Sequence, residues 1–194
     1  SKSCYRKIDW ILKTSLQGLK TESGQYITAR NTKKMLLNCN AVIALTKIFS
    51  CCVSLENEKA NENTRMLASK VNEALQALCK NSSAMQEALY AHLHLILNFN
   101  KDLRNPNSGF STLTEIFKDN LQLCEQVRSE IGRDIIKAVL ARKGTPNFNG
   151  KLLNPLMALI ICNNNPVRRN QQIVMNALWE DNNRELLLLF NKKG

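Results

Sequence analysis

Apolar residues recur at helical spacing along almost the whole chain. Tyr5, Ile8, Leu12, Leu16 and Leu19 step by three and four, which predicts one face of a first helix. Met35 to Leu37 opens a short second helix. Ala41 to Val53 forms a third that is apolar nearly all round, so burial on several sides is expected. Leu67, Val71, Leu75 and Leu78 make the next stripe, and Met85, Leu89, Leu93 and Ile96 another. Ser83-Ala84-Met85-Gln86 and Thr112-Leu113-Thr114-Glu115 fit the capping box, in which a hydroxyl and a third-position side chain satisfy each other's backbone N–H groups; Asn182 with Glu185 is a weaker case. Polar breaks lie at Glu56 to Asn63, Asn98 to Gly109 with Asn105-Pro106, Gly144 to Gly150, and Asn163 to Pro166. Strand alternation is nearly absent and is hinted at only from Gln25 to Thr28.

The pattern predicts about eight to ten antiparallel helices with short turns. The expected fold is all-α, an armadillo-like α-solenoid of helical hairpins, taken as a single domain over residues 1–194 and as a fragment of a much larger chain. The repeats diverge too far to give a clean period, so an irregular bundle is the alternative. The expected core comprises Leu36, Ile43, Leu67, Leu75, Leu89 and Leu93, continued by Ile116, Leu121, Ile136, Leu156 and Ile160. Glu115/Lys118, Glu125/Arg128, Glu130/Arg133 and Glu180/Arg184 read as charge pairs on solvated helix faces, not as sites.

Charge adds a question about partners. Lys and Arg number 27 against 16 Asp and Glu, a net charge of +11. That excess favours an acidic protein, an anionic lipid surface or nucleic acid. The plain reading is a solvated basic face, or one that meets an acidic neighbour. Basic residues are spread evenly, 13 in residues 1–80 and 14 in 81–194, with doublets at Lys33-Lys34, Arg142-Lys143, Arg168-Arg169 and Lys192-Lys193. Aromatics make up only 6%, so no ladder of stacking platforms accompanies them, and nucleic acid is not the expected partner. No apolar stretch is long enough for a signal peptide or a membrane span. The run Ala41 to Val53 is interrupted by Lys47, and Leu186 to Phe190 is too short; a soluble fragment without direct membrane insertion is expected.

Candidate chemistry is thin. The sequence holds no Gly-rich phosphate loop, no GxSxG and no HExxH, so no catalytic or cofactor-binding residue is assigned and no enzyme is expected. His92 and His94 project roughly 200° apart on a helix and cannot jointly grip a metal; one is expected half-buried and the other in water. The seven cysteines (Cys4, Cys39, Cys51, Cys52, Cys79, Cys124 and Cys162) include no CxxC pair, and most sit among aliphatic residues as small core groups in a reducing compartment. Cys51-Cys52 reads as two core-lining thiols, with a redox pair as the alternative. Asn81-Ser82-Ser83 matches a glycosylation sequon, without consequence in the cytosol.

Several stretches resemble the homology domain shared by inositol trisphosphate receptors and ryanodine receptors, most closely its central copy in the former. Between Tyr5 and Phe49, Lys34-Met35-Leu36-Leu37-Asn38 precedes Ala41-Val42-Ile43-Ala44-Leu45 as a dibasic, Leu-rich helix precedes a hydrophobic one. Ala74 to Asn98 (ALQALCKNSSAMQEALYAHLHLILN) resembles a helix pair closed by a cysteine and carrying a histidine in its second member. Glu115 to Cys124 (EIFKDNLQLC) is the most specific match, and Leu152 to Leu178 resembles the closing helices, with Asn170-Gln171-Gln172 before Ile173-Val174-Met175. The Phe99 to Gly109 loop is longer than the family's, and Cys39 and Asn40 stand where the family has glycines. The resemblance implies a cytosolic lever in a homotetrameric calcium-release channel of the endoplasmic reticulum or another internal store. In such a channel the ligand site lies toward the N-terminus, between a β-trefoil and a first helical domain, and the pore toward the C-terminus. The implied partners are other domains and subunits of the channel, with the helix around Ile116 and Leu121 as a coupling element. No ligand or metal residue follows for this chain. A generic protein-binding scaffold is the alternative, and a nucleic-acid-binding repeat a weaker one.

Overall fold

A computed structural model describes residues 2–20, 26–59, 62–101, 108–146 and 148–180. Among these, eleven α-helices account for nearly all regular structure, joined by one 3-10 turn and two short β-ribbons. The fold is all-α. Chain contacts divide it into two compact units, Ser1–Asn98 and Phe99–Gly194. The Asn182/Glu185 cap, Arg184, the Leu186 to Phe190 run, Lys192-Lys193, Gln25 and Asn105-Pro106 lie outside the described residues.

In the first unit α4 (Glu62–Cys79) is the central helix, packed by α1 (Lys2–Gln17) and by α3 (Ala41–Lys59). Two neighbours demand burial on more than one face, and α4 supplies it with Val71, Leu75 and Leu78 interleaved by Ala68, Ala74 and Ala77. The small side chains let both partners approach closely. α2 (Ala29–Asn38) packs on α1, and α5 (Ser83–Tyr90) on α4. Gly18, at φ 83°, ends α1 in the left-handed conformation that favours glycine, and its N–H bonds to the Thr14 carbonyl. The strands β1 (Leu19–Lys20) and β2 (Tyr26–Ile27) then pair antiparallel, where strand character was hinted at Gln25 to Thr28. Thr28 caps α2, its Oγ1 accepting from the Asn31 N–H at 3.4 Å. Asn40 takes φ 54° between α2 and α3. An asparagine there does what a glycine would, because its short polar side chain tolerates the left-handed region.

Several expectations fail at the level of helix phase. Leu16 is exposed although Ile8 is buried, because α1 turns Thr14 and Ser15 inward instead. Ile43 is 45% exposed: the inner face of α3 is taken by Val42, Leu45, Phe49 and Cys52. Leu67 and Ile160 are only half-buried. The stripe from Met85 to Ile96 is buried as expected, but on two helices, because Ala91 and His92 form a turn between α5 and α6 (Leu93–Lys101). Neither capping box forms. Ser83 is already the first residue of α5, after a Ser82 whose side chain makes no capping bond, and Thr112 lies inside α7 (Ser108–Phe117).

The second unit pairs α7 with α10 (Asn154–Ile160), and α9 (Ser129–Leu140) with α11 (Arg168–Trp179); α10 also packs on α11. Phe110, Leu113, Ile116 and Phe117 bury one face of α7, and Ile135, Ile136 and Val139 one face of α9. The expected partnership of Ile116 with Leu121 does not form within one helix. Lys118 and Asp119 make a turn, and Leu121 opens α8 (Leu121–Gln126) at 48% exposure. The break at Asn163 to Pro166 is a hairpin: β3 (Ile161–Cys162) pairs with β4 (Asn165–Pro166) around Asn163 and Asn164, at φ 48° and 62°. Two consecutive left-handed residues are the signature of a type I′ turn, which asparagine permits. The Asn163 N–H donates to Asp119 Oδ1 at 2.9 Å, tying the hairpin to the turn before α8.

Candidate interaction surfaces

The basic doublets share one device. In each of the three that the structure describes, one cation donates to backbone carbonyls at the C-terminal end of another helix. Lys33, 7% exposed, donates through Nζ to the Lys80 carbonyl just beyond α4. Arg142 donates through Nη2 to the Asn100 carbonyl in the last turn of α6, at 3.3 Å. Arg169 donates through Nη1 to the Glu125 and Val127 carbonyls at the end of α8, each at 2.9 Å. The last carbonyls of a helix lack intrahelical donors and carry its negative dipole end, so a cation there satisfies both. The sequence separations of 47, 42 and 44 fall in the range of armadillo and HEAT repeats. Part of the positive charge is thus absorbed by the fold.

Arg142 is buried to 1% exposure and lies 5.5 Å over the Phe110 ring, so its guanidinium is held by a carbonyl and an aromatic face together. Asn170 plays the matching neutral role. It is 1% exposed, and its Nδ2 donates to the Cys124 carbonyl at 2.7 Å and the Leu159 carbonyl at 2.9 Å, joining α8, α10 and α11. Sequence reading placed Asn170 in a matching stretch but gave it no role, because its partners lie 46 and 11 residues away. Arg133 pairs with Glu180 beyond α11, and not with Glu130 on its own helix alone.

The thiols divide by phase. Cys52 is buried and Cys51 exposed, a correction to the pair of core-lining thiols: adjacent helix positions differ by about 100° and only one can face inward. Cys124 donates through Sγ to the carbonyls of Phe117 and Ala158. Burial pushes its thiol up to about 12, with the charges of Cys162, Asp119 and Glu125 adding to the effect. Burial raises Cys162 as well. A thiol raised on folding contributes stability fully below its unfolded value of 9.0, and loses it as pH climbs through the folded value. At neutral pH Cys124 is a protonated core group, not a nucleophile. His92 is half-buried and His94 exposed, the split that was expected, but His92 lies in the turn before α6 and does not share a helix with His94.

Each unit carries an open pocket among its described residues. The first unit has one of about 340 Å³ at the meeting of α1, α2 and the α4–α5 turn, lined by Leu16, Arg30, Lys33 and Lys80. The second unit has one of about 550 Å³ beside the β3–β4 hairpin, lined by Leu121, Glu125, Cys162, Arg168 and Arg169. Among the described residues no group of three or more His, Cys, Asp and Glu side chains could hold a metal ion, and no single helix is long and apolar enough to cross a membrane. Ala29–Asn38 and Ala41–Val53 reach that length only together, across a 71° bend.

The comparison with known families agrees with this frame. The family model of the RIH domain, the homology domain of ryanodine and inositol trisphosphate receptors, matches residues 27–190. The match spans α2 to α11 and includes the clamps made by Lys33, Arg142 and Arg169, while the resemblance noted from Tyr5 to Tyr26 lies before it. The family belongs to calcium-release channels of internal stores, in which it is part of a larger protein, and is not one of known enzymes. The chain belongs to the RIH domain family.

Proposed function

We propose that the chain is the central cytosolic helical domain of an inositol trisphosphate receptor-like channel, where it relays ligand-induced motion toward the pore. Residues 1–194 act in this reading as one domain. Its partners are neighbouring domains and subunits of a homotetramer, at the cytosolic face of the endoplasmic reticulum or another calcium store.

The observation that carries the reading is the family match over α2 to α11, on a fold whose helix ends are clamped by cations far off in sequence. Such clamps make each helical block stiff, so that displacement at one end reappears at the other. A relay also needs contacts that differ between two states, since a connection equally stable in both transmits nothing. The exposed Leu121, Met157, Met175 and Trp179 of the second unit offer surfaces for contacts of that kind. No catalytic, metal or ligand residue is assigned. Nucleic-acid binding loses support, because one cation of each described doublet is committed to a carbonyl.

The division of labour is testable by isothermal titration of the 194-residue chain with inositol trisphosphate. No saturable uptake at micromolar concentration is expected. Tight stoichiometric binding by this chain alone contradicts the proposal.

A further inference from the structure

The net charge is localised although the basic residues are not. Residues 1–52 hold nine Lys and Arg but only two acidic residues, Asp9 and Glu22. Asp9 is engaged by Lys13 at 3.0 Å and Lys70 at 3.4 Å, and α2 contains no carboxylate at all. The pocket in the first unit opens on this region. Among the described residues its charged lining is Arg30, Lys33 and Lys80, with no carboxylate, beside the exposed apolar side chain of Leu16. Lys33 is held in place by its bond to the Lys80 carbonyl, so the floor of the pocket is a fixed positive charge. Arg30 and Lys80 stand exposed at the rim.

We infer that this pocket docks an acidic protein segment that carries an apolar anchor residue. Charge complementarity selects the partner's sign, and Leu16 with Ala29 selects a peptide over a bare anion, since a purely ionic ligand gains nothing from an apolar wall. Rim charges act mainly through steering and salt-sensitive attraction, while the anchor slows release. Lys33 stays committed to its clamp on the Lys80 carbonyl, so the steering falls to Arg30 and Lys80 at the rim.

The test is fluorescence anisotropy on the 194-residue chain, with a dye-labelled peptide of glutamates around a central leucine, at physiological salt. Saturable binding is expected. Arg30→Gln with Lys80→Gln should weaken it about tenfold, and Leu16→Ser should weaken it severalfold at unchanged salt dependence. Lys143→Gln with Arg168→Gln removes the same charge elsewhere and should change it less than about twofold. All these side chains are exposed, and the Lys80 carbonyl that Lys33 needs survives the substitution, so helicity by circular dichroism should match the unsubstituted chain. Equal losses from both double variants would show attraction to net charge alone and overturn the site. Tighter binding to phosphatidylserine vesicles or to a single-stranded oligonucleotide, lost in the Arg30/Lys80 variant, would overturn the class of partner.

Discussion

Asn170→Ala is expected to destabilise the chain by roughly 2–4 kcal/mol, because it takes the side-chain donor from the buried Leu159 carbonyl, leaves the Cys124 carbonyl only the Val127 N–H at 3.3 Å, and opens a void among α8, α10 and α11. The Cys124 and Leu159 carbonyls have no water to turn to, since Asn170, Cys124 and Leu159 are all buried. Asn170→Asp should be worse: it removes both donors and places a charge in the same apolar surroundings. Asn176 provides the control. It accepts from Gln172 Nε2 at 2.7 Å on the exposed face of the same helix, and Asn176→Ala should stay within about 0.5 kcal/mol. Urea unfolding followed by circular dichroism separates the two. A cost for Asn170→Ala no larger than for Asn176→Ala would show that the clasp is not holding α8, α10 and α11 together.

Arg142→Ala should cost about as much, roughly 2–4 kcal/mol, through three losses at one position. The Asn100 carbonyl loses its charged donor, the Phe110 ring loses its cation, and the side chain leaves a void. Arg142→Lys should recover less than half, because an ammonium can donate to the carbonyl but cannot lay a planar group over the ring. The neighbourhood is tightly built. A Cβ added at Gly109 would come within 2.2 Å of Asn100 Oδ1, so the backbone beside Phe110 has no room to follow a smaller residue inward. Full recovery by lysine would show that charge alone, and not the shape of the guanidinium, is what the site requires.

Helix content and most of the core were legible because period and hydrophobicity act locally. Val71, Leu75, Leu89, Leu93, Ile136 and Leu156 are buried where the stripes put them. Ile43 and Leu121 were misplaced for a reason that period cannot mend. A helix as evenly apolar as the first part of α3, with Lys47 its one charged residue between Ala41 and Val53, has too weak a polar face to fix its phase, and Leu121 follows a turn that a continuous stripe conceals. Turns built on asparagine and aspartate at positive φ (Asn40, Asn81, Asp119 and the Asn163-Asn164 pair) carry no strong proline or glycine signal, so the hairpin went unread. The clamps were the least legible. Lys33, Arg142, Arg169 and Asn170 read as ordinary polar residues until the fold brings them to helix ends between 42 and 47 residues away. The doublets marked three of these places, but their chemistry belongs to the tertiary structure.

The central claim is that the domain transmits the channel's ligand signal and does not itself bind that ligand. It is tested most directly in the full-length protein, in calcium-loaded vesicles, by measuring ligand occupancy and calcium release together for Arg169→Gln. That substitution releases the Glu125 and Val127 carbonyls from an exposed side chain and loosens the grip of α11 on α8 without opening the core. The account predicts ligand affinity changed by less than about twofold, with release at matched occupancy reduced severalfold, as expected when a coupling free energy of about 1 kcal/mol is lost. Release that falls only in proportion to a loss of ligand binding, or that does not change at all, would contradict it.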